Sequence, residues 1–315
     1  MLPPNPTTAP RGGGVWREDV SLERIAALLE AASGDPAGRS WGDDAAVLAA
    51  PAGRLVLCTD AGVAGVHLDD ALFPIGDLGY RTAIAALSDL AAMGATPLGV
   101  VIAICAPGDV DVIAIEHDAI AACSVHGCEV VGGDLSRAAT TVATVTALGE
   151  ERSGPAVRRS GARPGDRVFV TGELGGAALG RRRRGEGAGL DDPAVLRHRR
   201  PEARLAAGAA AARCRASSMI DVSDGLARDV RRIASASSVG IALHAVPLFD
   251  GALLEDGLGG GEDYELVLTH PDAVALASAF EEADLAGPIE IGVVVEDPAA
   301  LTFQGAALPD VGWRH

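Results

Sequence analysis

Apolar and polar positions alternate along this chain in two different rhythms, and the switches between them mark out its elements. Residues 20–32 (VSLERIAALLEAA) carry apolar residues at helical spacing, with Ser21 placed as an N-cap. The next stretch, WGDDAAVLAAP, reads as a loop leading into a short strand. RLVLCTD (54–60) is a β-type run that ends on Asp60. Residues 77–93 predict a long helix, with Asp77 available as a cap and Gly94 and Pro97 as stop signals. GVVIAIC (99–105) predicts a buried strand, 112–126 a helix, CEVVGGD (128–134) a strand running into a glycine turn, and TTVATVTALG (140–149) another strand.

Residues 150–166 (EERSGPAVRRSGARPGD) break this rhythm with charge, glycine and proline, which places a domain boundary near 150. Beyond it, RVFVTG predicts a strand. An Ala-rich helix and a helix over PEARLAAGAAAARC follow. IDVSDGLARD (220–229) then reads as strand, acidic turn and helix start, and Leu226, Val230, Ile233 and Ala234 share one face of that helix. GGGEDYELVLT, a short helix near 272–282 and the strand IEIGVVV complete the second half. Strands alternate with helices throughout, so the class is α/β (α+β). The predicted layout is a tail over 1–18, an N-terminal domain over 19–150 and a C-terminal α/β domain over 151–315. MLPPNPTTAPRGGG reads as a disordered tail rather than a signal peptide.

Composition narrows the chemistry. The net charge of −17 argues against a nucleic-acid partner. All 26 basic residues are arginine, so the Walker A lysine and Schiff-base chemistry are both excluded. Phosphate must then be handled by arginine, backbone N–H groups or metal ions. The five cysteines are odd in number and form no C-x-x-C pair, which predicts a reduced, cytoplasmic protein. No apolar run is long enough to span a bilayer. The quadruplet Arg181–Arg184 reads as the cationic end of a helix rather than a phosphate site.

Acidic segments recur beside strand ends and helices: Gly42-Asp43-Asp44, Thr59-Asp60, Ser88-Asp89, Gly132-Gly133-Asp134 and Asp221 to Gly225. Asp89 lies mid-helix among apolar residues. It either shares a polar stripe with Ser88 facing solvent or meets a cation. Asp60 ends a strand, as a ligand residue or as an ordinary turn aspartate. Ser223 or Asp224 can cap the following helix. Together the carboxylates suit Mg²⁺, which prefers such oxygens and also binds phosphates.

The series GDDAAVL, TDAGVAGVH, ALSDLAAMGATP, VGGDLSR, RRSGARPGD, IDVSDGLARD and GGEDYEL occurs in this order and resembles the thiamine-monophosphate kinases over roughly residues 20–315. Any one motif is unspecific; the ordered series is specific. The resemblance implies the two-domain fold of aminoimidazole-ribonucleotide synthetase and ATP-dependent phosphorylation of thiamine monophosphate to the diphosphate. It also implies a homodimer whose N-terminal domains share a barrel. By the family pattern Asp44, Cys58, Thr59, Asp60, Asp89, Asp134, Asp221 and Asp224 fall on Mg²⁺ positions. Gly133, Asp134, Arg159 and Ser223 fall on ATP positions, and His67, Glu262 and Trp313 on substrate positions. Transfer would be direct and metal-assisted, with no side chain acting as acid or base. Cys58 departs from the usual serine, GVHL from GVHF, and GWRH lacks the usual aspartate before the histidine. The alternatives are another ATP-using enzyme of the wider superfamily, or a nucleotide-binding maturation protein without turnover. A selenophosphate synthetase would need a reactive cysteine and a lysine near the N-terminus, and this chain has neither there.

Overall fold

The computed structural model describes residues 16, 18–33, 45–48 and 50–314. The chain divides into two compact units, residues 1–87 with 97–150 and residues 88–96 with 151–315. The tail reading falls almost wholly outside the described residues, and so does Asp44. Trp16, within that predicted tail, is held in place. Its indole N–H donates to the Pro107 carbonyl at 2.9 Å, and the Arg137 guanidinium lies 5.5 Å from its ring centre.

In the first unit, α1 (Glu18–Ser33) starts three residues before Ser21. Ser21 is therefore a buried helix residue, not the N-cap. No strand forms over residues 45–48. Strand β1 (Leu55–Val63) pairs antiparallel with β4 (Val142–Glu150), opposing Thr59 to Thr146. With β2 (Thr96–Ala106) and β3 (Val130–Arg137) they form a sheet in the order β1-β4-β2-β3. The predicted glycine turn at 132–133 is strand instead, paired in parallel with β2. A Cβ at Gly133 would lie 2.4 Å from the Ile102 carbonyl, so glycine here permits close strand approach rather than a reversal. Helix α2 (Gly76–Ala92) seats on β1: the Cys58 thiol donates to the Ala86 carbonyl at 3.2 Å. Helix α3 (Val112–Val125) is capped by Asp111, whose carboxylate accepts the Ala114 N–H.

The second unit is built on a seven-stranded mixed sheet in the order β11-β10-β7-β9-β5-β8-β6. Its strands are β5 (Arg167–Val170), β6 (Ser218–Asp221), β7 (Gly240–Leu243), β8 (Leu266–His270), β9 (Ile289–Val295), β10 (Leu301–Phe303) and β11 (Ala306–Ala307). Period-2 alternation sends Val168, Val170, Ile220 and Val267 to one core, where they meet Leu226, Val230, Ile233 and Ala234 of α7 (Leu226–Ser237). Phe169, Met219, Leu266 and Leu268 face the other core. That core includes Ala207, Ala210 and Ala211 of α6 (Leu205–Arg213), which starts four residues later than the sequence pattern suggests. The last turn of α2 belongs to this unit. Ala91 and Ala92 pack into the second core, and a Cβ at Gly208 would lie 2.0 Å from the Ala91 carbonyl. Helices α4 (Gly176–Gly185), α5 (Pro193–Arg199), α8 (Leu254–Gly259) and α9 (Ala273–Glu281) complete it. No helix among the described residues is long and apolar enough to cross a membrane.

Candidate active site

The acidic turn follows β6 directly, and a buried apolar strand delivers Asp221 to its end. Gly225, at φ +106°, is the N-cap residue of α7 and offers no side chain, so neither Ser223 nor Asp224 caps the helix. The return contact comes from inside the helix: the carboxylate of Asp229, the fourth helical residue, accepts the N–H of Asp224, the residue before the cap, at 3.1 Å. Arg232 then bridges the two acids, donating to Asp229 at 2.5 Å and to the Asp224 carboxylate. Burial and the neighbouring Asp221 charge push Asp229 up to about 7.

Two further segments are stitched to this turn through the backbone. The Glu262 and Tyr264 N–H groups donate to the carbonyls of Ser223 (2.8 Å) and Val222 (3.0 Å). The Trp313 N–H donates to the Asp224 carbonyl at 2.9 Å. Ser223, Asp224, Glu262 and Trp313 therefore stand on three adjoining strips of chain. Trp313 is 40% exposed. Glu262 faces the imidazole of buried His198 at 3.5 Å.

Asp221 meets the end of α2 here. Ser88 is fully buried and donates to the Asp221 carboxylate at 2.8 Å, while Asp89 beside it is half-buried. Burial, and then the charge of Asp89, push Asp221 up to about 6, against the lowering effects of the Ser88 hydrogen bond and the exposed Arg159. The Asp221 carboxylate, with the negative charge of Asp89 beside it, offers oxygen donors of the kind that suit a hard divalent cation. By chemistry, these residues fit Mg²⁺. Among the described residues, no group of three or more His, Cys, Asp or Glu side chains is gathered closely enough to hold a metal by itself.

The remaining sequence-predicted residues lie in the first unit. Along β1, Cys58, Asp60 and Gly62 share the face toward α2, while Thr59 points the other way and hydrogen-bonds Thr146 at 3.1 Å. The side chains of Thr59 and Asp60 therefore cannot both reach one ion. Gly133 and Asp134 stand on β3, the opposite edge of the sheet, where the Ser136 hydroxyl donates to Asp134 at 2.9 Å. His67 follows β1, and its Nδ1 accepts the Val63 N–H.

Sequence reasoning missed Asp229, Arg232, His198 and Asp263, which support the site from behind. Arg232 carries a readable signal: it lies three residues after Asp229 and eight after Asp224, on the same side of the helix. Of the Arg181–Arg184 run, Arg182 makes a bidentate pair with Asp256 on α8 and Arg183 contacts Asp192.

Residues 42–150 match the family "AIR synthase related protein, N-terminal domain", and residues 163–302 match the corresponding C-terminal domain family. The thiamine-monophosphate kinase of Synechococcus elongatus is 40% identical over 81% of this chain and 85% of its own length. That of Methanospirillum hungatei is 35% identical over 87% of this chain and 92% of its own. Among solved structures, the thiamine-monophosphate kinase of Stenotrophomonas maltophilia superposes with a TM-score of 0.78 at 31% identity, covering 91% of this chain and 96% of that one. AaThiL complexed with AMPPCP and TMP superposes with a TM-score of 0.74 at 29% identity, covering 96% and 100%. A hydrogenase maturation protein HypE in complex with ATP, at 21% identity and a TM-score of 0.70, shares the fold.

Proposed function

The chain belongs to the thiamine-monophosphate kinase family, and from that premise we propose that it transfers the γ-phosphoryl group of ATP to the phosphate of thiamine monophosphate. The products are thiamine diphosphate and ADP. The observation that carries this reading is the stitching of Ser223, Asp224, Glu262 and Trp313 onto three adjoining backbone strips. Nucleotide-facing and substrate-facing residues then hold a fixed relation. A complex of AaThiL with AMPPCP and TMP, from a chain that this one covers in full, supports the same pair of ligands.

The acceptor oxygen is already anionic, so the site needs no strong general base; positioning and charge neutralisation supply the rate. Glu262 meets the cationic thiazolium or the ring amine, and the Trp313 ring stacks on it. His67 is a further substrate contact. Arg159 and Ser223 contact the ATP phosphates, and Gly133 lets backbone approach them. Asp44, Asp60, Asp89, Asp134, Asp221 and Asp224, with backbone oxygens at Cys58 and Thr59, hold Mg²⁺. Bound Mg²⁺ supplies positive charge to the transferring phosphoryl group. Because the Cys58 thiol is turned to the Ala86 carbonyl, replacing serine by cysteine there leaves the backbone contact intact.

Two further parts belong to the proposal. Leu55 and Leu57 on β1 are 55% and 68% exposed and Val101 on β2 is 42% exposed, an apolar sheet surface suited to pairing with a second copy. Light scattering that returns a monomer mass at assay concentration would overturn the dimer. The free cysteines and the use of ATP support a cytoplasmic enzyme.

The test offers purified protein ATP, Mg²⁺ and a panel of phosphorylated acceptors and separates the products by chromatography. Thiamine diphosphate formed with equimolar ADP is the expected outcome. Turnover of another acceptor, with none of thiamine monophosphate, would overturn the reading, and absence of ADP with every acceptor would favour a maturation-type nucleotide binder.

A further inference from the structure

The loop carrying Glu262 is bent against its own preferences. Gly261, Glu262 and Tyr264 all have positive φ, at +67°, +60° and +52°. A glutamate and a tyrosine in this left-handed region each cost about 1 kcal/mol or more. Such a run persists only where its surroundings hold it. Two of the holding contacts are the backbone bonds to Ser223 and Val222. The third comes from Asp263, between the two strained residues. Its carboxylate accepts the Gly175 N–H at 2.7 Å and the Ala177 N–H at 3.1 Å, at the amino end of α4.

That helix end has no cap of its own. Its N-cap is Gly175, left-handed at φ +84°, with no side chain to offer. A residue 88 positions along the chain supplies the acceptor instead. The contact satisfies two orphan N–H groups and places a carboxylate on the positive end of the helix dipole. On the far side of the loop, buried Glu265 accepts from Arg204 at 2.6 and 2.9 Å and from the Thr171 hydroxyl at 2.6 Å. Ahead of both, the Glu262 carboxylate is turned to His198 at 3.5 Å.

We propose that Asp263 is a positioning residue for substrate recognition: by clamping the strained 261–264 loop to the amino end of α4, it fixes the direction in which Glu262 meets the substrate. The proposal rests on the reading of Glu262 as a substrate contact. Burial pushes Asp263 up to about 7 even while the two backbone donors pull it down, which fits a group set deep beside the loop.

The test measures kcat and both KM values for Asp263→Asn, Glu262→Gln and the double variant. Asparagine keeps one acceptor oxygen but turns an NH₂ group toward a backbone donor. Misplacing a binding group by about 1 Å costs up to about 100-fold, so Asp263→Asn is expected to raise KM for thiamine monophosphate about tenfold while KM for ATP moves less than about twofold. The double variant should be little worse than Glu262→Gln alone, because both remove the same contact. Equal weakening of both substrates, or additive losses in the double variant, would reduce Asp263 to a structural residue and overturn the proposal. If Glu262→Gln raises KM and Asp263→Asn does not, the positioning role alone falls. If Glu262→Gln changes nothing, the substrate reading of Glu262 falls first, and the positioning role falls with it. Should Asp263→Asn not fold, Asp263→Glu moves the carboxylate by one methylene and is expected to raise KM for thiamine monophosphate alone; unchanged kinetics in that variant would also count against the proposal.

Discussion

Asp221 and Asp60 are both aspartates on β-strands, yet the protein treats them differently. Asp221 ends β6 and is enclosed: Ser88 donates to it, Asp89 and Asp229 crowd it, and the turn beyond it is stitched to two other segments. Asp60 lies within β1, on the face turned to α2, where the pairing of β1 with β4 sets its direction. The first arrangement fixes direction through many cross-contacts and carries an electrostatic penalty. The second fixes direction through the regular alternation of a paired strand. The two aspartates should therefore respond differently to substitution.

The largest contrast is expected in catalysis. Asp60→Asn should lower kcat/KM by about 100-fold or more while the melting temperature stays within a few degrees, read by a coupled ADP assay and calorimetry. Near-normal turnover would remove Asp60 from the metal set. Next comes Arg232→Met, which leaves fully buried Asp229 without its cation. Breaking such a pair costs about 3 kcal/mol, visible as a fall in the urea midpoint.

The third expectation concerns pH. Asp229 and Asp263 are each pushed up to about 7 from the ordinary carboxylate value of 3.8. Between these limits the folded chain holds protons that the unfolded chain has released. These two groups therefore make stability fall as pH rises from about 4 to 7. Asp229→Asn should flatten that slope in melting curves taken across the range; an unchanged slope would mean that Asp229 is already ionised at pH 4. The smallest effect is Ser88→Ala, which removes one buried hydrogen bond to Asp221 and should cost about 1–2 kcal/mol.

The same contrast explains how much of the protein could be read from its sequence. The strand, turn and helix at 218–237 follow from local pattern, and Leu226, Val230, Ile233 and Ala234 do form the buried face of α7. What closes that region is not local. Ser88 and Asp221 are 133 residues apart, and Arg182 reaches Asp256 across 74. The capping of α7 was misread because Ser223 and Asp224 look like caps, whereas Gly225 takes the position and Asp229 satisfies the loose N–H group. Gly132–Gly133 reads locally as a turn, but its meaning is the approach of the Ile102 carbonyl from another strand. Strands β7, β10 and β11, of four, three and two residues, are too short to show a period. The ordered motifs are legible in the sequence; the residues that brace them from behind are visible only once the fold brings them together.

The central claim is that the acidic turn receives phosphate through metal. Calorimetric titration of Mg²⁺ into the full-length protein with a non-hydrolysable ATP analogue tests it directly, comparing the native chain with Asp221→Asn. Saturable Mg²⁺ binding in the native chain, weakened at least about tenfold in Asp221→Asn, is the predicted result. Equal Mg²⁺ affinity in the two proteins would contradict the account.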